Sequence, residues 1–238
     1  MIRIESLAKS FGRNTALSEI TLQLSAGQCI ALIGPNGSGK TTLLKCILGL
    51  VKPSAGEVWV NGIPAAGNWG YREHIGYMPQ VGRYPDQMKV RQVLELIRQI
   101  RGREAARHTD AGLIGAFGLE EVMSQRMHTL SGGTRQKVSA TLAFLFDPPI
   151  LILDEPTAGL DPVANELLKE KIRRQCERGK LIIITSHILS DLDDVATDVL
   201  FLQEGRMQFF KSLASLKEET REDRLSRVIA RIMQREKP

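Results

Sequence analysis

The sequence predicts an α/β fold: a buried parallel sheet, an antiparallel β subdomain at the N-terminal end, and a helical subdomain inserted between core strands. Three observations carry this. Residues 29–33, 150–153 and 181–184 are uninterrupted apolar runs, as strands covered on both faces require. Residues 2–5 and 20–24 instead alternate apolar and polar, and 57–60 continue the pattern after Gly56, which suits a sheet with one wet face. Between these sets, Val90, Val93, Leu94 and Ile97 recur at helical spacing, and 103–147 holds further helical pattern.

The chain of 238 residues is long enough for one large domain with a sizeable core. With 42% apolar and 25% charged residues it has the composition of a folded globular protein. No apolar run reaches the roughly 18–20 residues that cross a bilayer, and the opening Met1-Ile2-Arg3-Ile4-Glu5 reads as a strand rather than a secretory signal. Cytoplasmic residence is therefore expected. Cys29, Cys46 and Cys176 are odd in number and widely spaced, so reduced thiols are expected rather than disulfides or a zinc site.

Residues 211–238 carry eight Lys/Arg against five Asp/Glu, +3 of the formal +5. This charged tail lacks Phe, Trp and Tyr, which argues against nucleic acid as a partner. Leu225, Val228, Ile229 and Ile232 stripe it at i, i+3, i+4, i+7, so it should form an amphipathic helix. The expected division is a main domain over 1–210, with its helical lobe at about 85–147, and a helical tail over 211–238.

Chemistry enters directly after the run 29–33. Gly34-Pro35-Asn36-Gly37-Ser38-Gly39-Lys40-Thr41 fits G-x-x-x-x-G-K-[ST] between a strand and a helix. Glycines let the backbone curl so that successive N–H groups face phosphate oxygens, and the helix that follows adds its positive end. Lys40 should reach the β- and γ-phosphates, and Thr41 offers a hydroxyl to Mg²⁺. Thr42 follows in the same helical turn as a further phosphate-side residue.

The run 150–153 ends in Asp154-Glu155, at the carboxyl end of a strand, where open α/β sheets bind ligands. Adjacent strand residues point opposite ways. Asp154 suits Mg²⁺, and Glu155 suits orienting or deprotonating an attacking water.

A phosphate loop alone admits GTPases, kinases and many ATPases. Leu130-Ser131-Gly132-Gly133-Thr134-Arg135-Gln136 narrows the choice, because it resembles the signature motif of ATP-binding-cassette (ABC) ATPases. Ser131 is placed to cap a helix whose first N–H groups would face phosphate. The resemblance implies a P-loop NTPase core and ATP bound between two copies, with Ser131, Gly132 and Gly133 of one facing the nucleotide of the other. Gln80 resembles the Q-loop glutamine that senses Mg²⁺ and the attacking water. Gly159-Leu160-Asp161 resembles the D-loop at the dimer interface, and His187 the switch histidine at the γ-phosphate. Two departures stand out. Thr134 replaces the usual glutamine of the signature, which should alter affinity without abolishing it. Phe11 takes the place of the usual adenine-stacking tyrosine, and its face still stacks on a base.

The resemblance further implies an integral-membrane permease as partner, with Tyr84, Pro85 and Met88 near the docking surface, and either a homodimer or a pairing with another ABC ATPase subunit. The chain would then sit at the cytoplasmic face of the membrane. The alternative is a soluble ABC ATPase working in cofactor or metal-centre assembly. A narrower resemblance, in Gly76-Tyr77-Met78-Pro79-Gln80 with Tyr84-Pro85, is to copper-processing transporter ATPases linked to nitrous-oxide reductase maturation.

Overall fold

A computed structural model describes residues 1–105 and 109–235. Strands β1 (Ile2–Phe11) and β2 (Asn14–Leu24) lead into β3 (Cys29–Ile33) and helix α1 (Lys40–Ile47), followed by β4 (Ala55–Val60), β5 (Ile63–Pro64) and β6 (Ile75–Met78). The lobe between sheet strands holds α2 (Val90–Ala105), α3 (Gly112–Ala116) and α4 (Gly132–Phe144). Then come β7 (Ile150–Asp154), α5 (Pro162–Glu177), β8 (Leu181–Thr185), β9 (Asp198–Gln203), β10 (Arg206–Ser212), α6 (Leu213–Thr220) and α7 (Leu225–Arg235).

Two sheets form. The antiparallel one has the order β2-β1-β4-β5, and the central one β10-β9-β3-β8-β7-β6, parallel except for β10. The three apolar runs are the adjacent strands β3, β8 and β7. Sequence reasoning left out their neighbours. In β6, Gly76 and Tyr77 interrupt the apolar pattern, whereas Val199, Leu200, Phe201 and Leu202 of β9 form an apolar run as strong as the others and were readable.

The central sheet divides two cores, because successive side chains leave it on opposite faces. Ile30, Leu32, Ile150, Ile152 and Ile183 face α1 and the antiparallel sheet, while Ala31, Ile33, Leu151, Leu153 and Ile184 face α4 and α5. Each fully buried Leu or Ile contributes about 1.5–3 kcal/mol. The amphipathic stripe of α7 is covered by its own chain: Leu225 and Val228 are wholly buried and Ile229 nearly so, in the core that holds Leu168 and Ile172 of α5. The first N–H of α7 donates to Asp193 Oδ1 at 2.6 Å, a cap from outside the helix.

Candidate active site

Strand β3 ends at Ile33 and the chain turns sharply at Gly34, whose φ of 151° and nearness to β9 leave no space for a side chain: a Cβ there would lie 2.0 Å from the Leu202 carbonyl oxygen. Ser38 N–H donates to Pro35 O at 3.1 Å and closes the loop. Helix α1 follows with no side-chain cap at Gly39 and no acidic residue in its first turn, so its first N–H groups and positive end are left for an anion. Lys40 Nζ donates to the carbonyls of Gly34 (2.7 Å) and Pro35 (3.0 Å). Burial pushes its ammonium below the usual lysine value, against the pull of the Glu155 and Asp154 charges. Pro35, Asn36, Gly37 and Thr41 are exposed, and Thr42 is half-buried. Ser38 Oγ is buried without a partner among the described residues, an orphaned polar atom in the loop that leads into α1.

At the end of β7, Asp154 is buried and its carboxylate accepts from Thr185 Oγ1 at 2.5 Å. Glu155 adopts φ 52°, the left-handed region. Its N–H is shared between Thr185 O (3.1 Å) and Thr185 Oγ1 (3.0 Å), and its carboxylate meets His187 Nε2 at 2.8 Å. Lys40, Asp154, Glu155 and His187, drawn from three separate stretches of sequence, thus lie together. Thr185, which holds both acidic residues, was not singled out from sequence; its only signal is a polar end to the apolar run of β8. Gln136 was missed as an individual residue too. It sits in the motif but is buried, and its Nε2 donates to Glu155 O at 3.2 Å.

Other elements carry the remaining predicted residues. Ser131 caps α4, accepting from Thr134 N–H at 3.1 Å, and Thr134 Oγ1 shares a hydrogen bond with Ser131 Oγ at 2.8 Å. The unusual threonine therefore braces the capping hydroxyl. Gly132 has open space around it, whereas Gly133 packs against Gly159. Asp161 caps α5 through Ala164 N–H at 2.9 Å and pairs with Lys137 at 2.7 Å. Gln80 is exposed just past β6. Phe11 is 52% exposed at the end of β1, with Lys9 Nζ 4.8 Å from its ring centre, so its ring is free of the core.

The donor set suits a magnesium nucleotide: a hydroxyl at Thr41 and a carboxylate at Asp154 are hard oxygen ligands. No helix among the described residues is long and apolar enough to cross a membrane.

Known proteins resemble this chain in sequence and in fold. A family model described as "ABC transporter" matches residues 17–158, more than half of the chain. A Nod factor export ATP-binding protein I from Burkholderia orbicola is 34% identical over 208 residues, covering 86% of this chain and 68% of that protein. Across several proteins of that name the chain spans 60 to 68% of their length. A solved structure of an ATP-binding subunit of an ABC transporter superimposes with a TM-score of 0.89 at 29% identity, covering 98% of this chain and 99% of its own. The MJ0796 cassette, solved as a dimer bound to ADP and Pi, shares the fold with a TM-score of 0.77 at 24% identity, over 90% of this chain and 99% of its own. With a phosphate loop, an acidic strand end and a capped signature helix on one scaffold, this chain belongs to the ABC transporter family, as one of its ATP-hydrolysing subunits.

Proposed function

We propose that this ABC ATPase subunit powers a separate integral-membrane permease, binding ATP between two protomers and hydrolysing it to release them. The observation that carries the reading is the contact of Glu155 with His187 beside Lys40. In this reading Glu155 is the carboxylate base, His187 the group that holds it and Lys40 the ammonium that binds phosphate, a reading their closeness supports.

In this reading Lys40, Thr42 and the N–H groups of 34–41 bind the phosphates, and Phe11 stacks on adenine. Thr41, Asp154 and Gln80 would hold Mg²⁺, whose chemistry is to neutralise charge on the β- and γ-phosphates. Glu155 orients the attacking water and takes its proton, and His187 fixes the carboxylate. Ser131, Gly132 and Gly133 meet the nucleotide of the other protomer, with Asp161 near the same interface. Loss of the γ-phosphate removes that bridge and the pair separates. The MJ0796 dimer with ADP and Pi supports such an arrangement.

The permease would dock where Tyr84 lines an open groove of about 370 Å³, together with Leu50, Tyr77, Ile97, Ile100 and Phe146. This puts the subunit at the cytoplasmic face of a membrane. The matched relatives are named for Nod factor export. They lend nothing to the copper-processing resemblance or to the soluble assembly alternative, and export is the transport direction they favour.

The test is Glu155→Gln. The variant should bind ATP, hydrolyse it roughly a hundredfold more slowly, the scale of a lost general base, and accumulate as an ATP-dependent dimer in light scattering. Normal turnover would remove Glu155 from its role.

A further inference from the structure

One face of the first two turns of α4 lies along the loop that follows β7. A Cβ on Gly133 would stand 2.7 Å from Gly159 O. Gln136 Nε2 donates to Glu155 O at 3.2 Å, and Lys137 Nζ pairs with Asp161 at 2.7 Å. These positions are i, i+3 and i+4, neighbours on one helical face. The helix that starts with the signature residues is therefore joined to both ends of the segment 155–161.

Glu155 needs such support. Its φ of 52° is a left-handed conformation that strains a residue with a side chain and persists only where surrounding bonds hold it. Its N–H is held from β8 by Thr185. Its carbonyl accepts from Ala158 N–H within its own turn at 3.2 Å and from Gln136. Among the described residues, Gln136 supplies the bond to the Glu155 backbone that comes from the helical lobe. Gln136 is only 7% exposed, so its amide is fixed in place and a lost donor there is not replaced freely by water.

We propose that Gln136 is a positioning residue that ties the backbone of Glu155 to α4, so that nucleotide of the other protomer, gripped by Ser131, Gly132 and Gly133, bears on how firmly the carboxylate of this protomer is held at its contact with His187. The inference rests on the two-protomer reading above. It adds a route by which one pocket controls the chemistry of its neighbour: the anion acts on the start of α4, and the second turn of the same helix carries that position to the base. A rigid helix transmits a shift along its length without needing to bend.

The experiment compares Gln136→Met, which keeps length and removes the donor, with Gln136→Asn, which stays polar but falls one methylene short. Each is made alone and in the Glu155→Gln background. Fluorescent ATP binding should stay within about twofold of the parent, while kcat falls roughly 10- to 100-fold, the scale of a misplaced catalytic group. In the Glu155→Gln background, kcat should fall no further and ATP-driven dimerisation should persist, because residues acting as one unit are non-additive. The inference is overturned if both single variants keep kcat within twofold. It is equally overturned if either loses ATP affinity in step with kcat, or lowers the residual rate of Glu155→Gln by the same factor as in the parent. Normal turnover or absent dimerisation in Glu155→Gln alone defeats the two-protomer reading and this inference with it.

Discussion

Replacing Gly34 by alanine tests whether the phosphate loop is shaped by close approach or only by backbone freedom. The added Cβ would stand 2.0 Å from Leu202 O, 2.7 Å from Ser38 Oγ and 3.1 Å from Leu202 C, where a carbon and a carbonyl oxygen normally keep about 3.3 Å or more. Leu202 lies in β9, which pairs with β3 through Ile33↔Phe201, so neither side escapes by rotating a side chain. Three costs combine: about 1–3 kcal/mol for a backbone conformation open to glycine alone, about 1–3 kcal/mol of overpacking and about 1 kcal/mol for a ladder bond given up as the strands part. Gly37 is the control. It also has positive φ, 80°, but a Cβ there meets nothing within 4 Å, leaving about 1–2 kcal/mol of backbone cost. In a chain of this size 1 kcal/mol moves Tm by about 2–4 °C, so Gly37→Ala should lower Tm by a few degrees and Gly34→Ala by about 10 °C or more. Thermal melts followed by circular dichroism make the comparison. Equal losses in the two variants would refute the claim that β9 crowds Gly34.

Two further predictions follow from packing and charge. Burial alone would raise the Asp110 pKa, but hydrogen bonds from Lys171 and from Gly112 N–H, with the charges of Lys171 and Lys180, bring it below the usual carboxylate value. A carboxyl depressed in the folded state stabilises above its unfolded pKa of about 3.9 and loses that contribution as pH falls through the folded value. Asp110→Asn should therefore cost about 1 kcal/mol in urea unfolding at pH 7, allowing for partial exposure, and converge with the parent as the pH falls below about 4. Leu225→Ala, at a fully buried position of α7, should cost about 2–5 kcal/mol in the same assay; a loss under 1 kcal/mol would mean that the tail helix is not part of the core.

Much of the candidate site was legible because its parts are local patterns. The phosphate loop, the acidic pair after 150–153 and the capped start of α4 each need only a few consecutive residues of the right type, and both helix caps, Ser131 and Asp161, are local hydrogen bonds. The three core strands were legible for a similar reason, since burial on both faces writes an unbroken apolar run. β6 was obscured by Gly76, which packs so closely that a Cβ would lie 2.0 Å from Ala143 O. That closeness is set by a helix far along the chain and leaves no periodic trace.

The sequence by itself therefore determined the class of fold, the family and the residues proposed to handle phosphate, since these depend on spacing along a few turns of chain. The tertiary structure alone decided which groups meet. Thr185 reaches both Asp154 and the backbone of Glu155, His187 closes on the Glu155 carboxylate, and Gln136 crosses from α4 to the same residue. Such contacts arise from strand order and from the packing of α4 against the central sheet. Two side chains about 30 positions apart are brought to hydrogen-bonding distance by strand register, which no short window of sequence encodes.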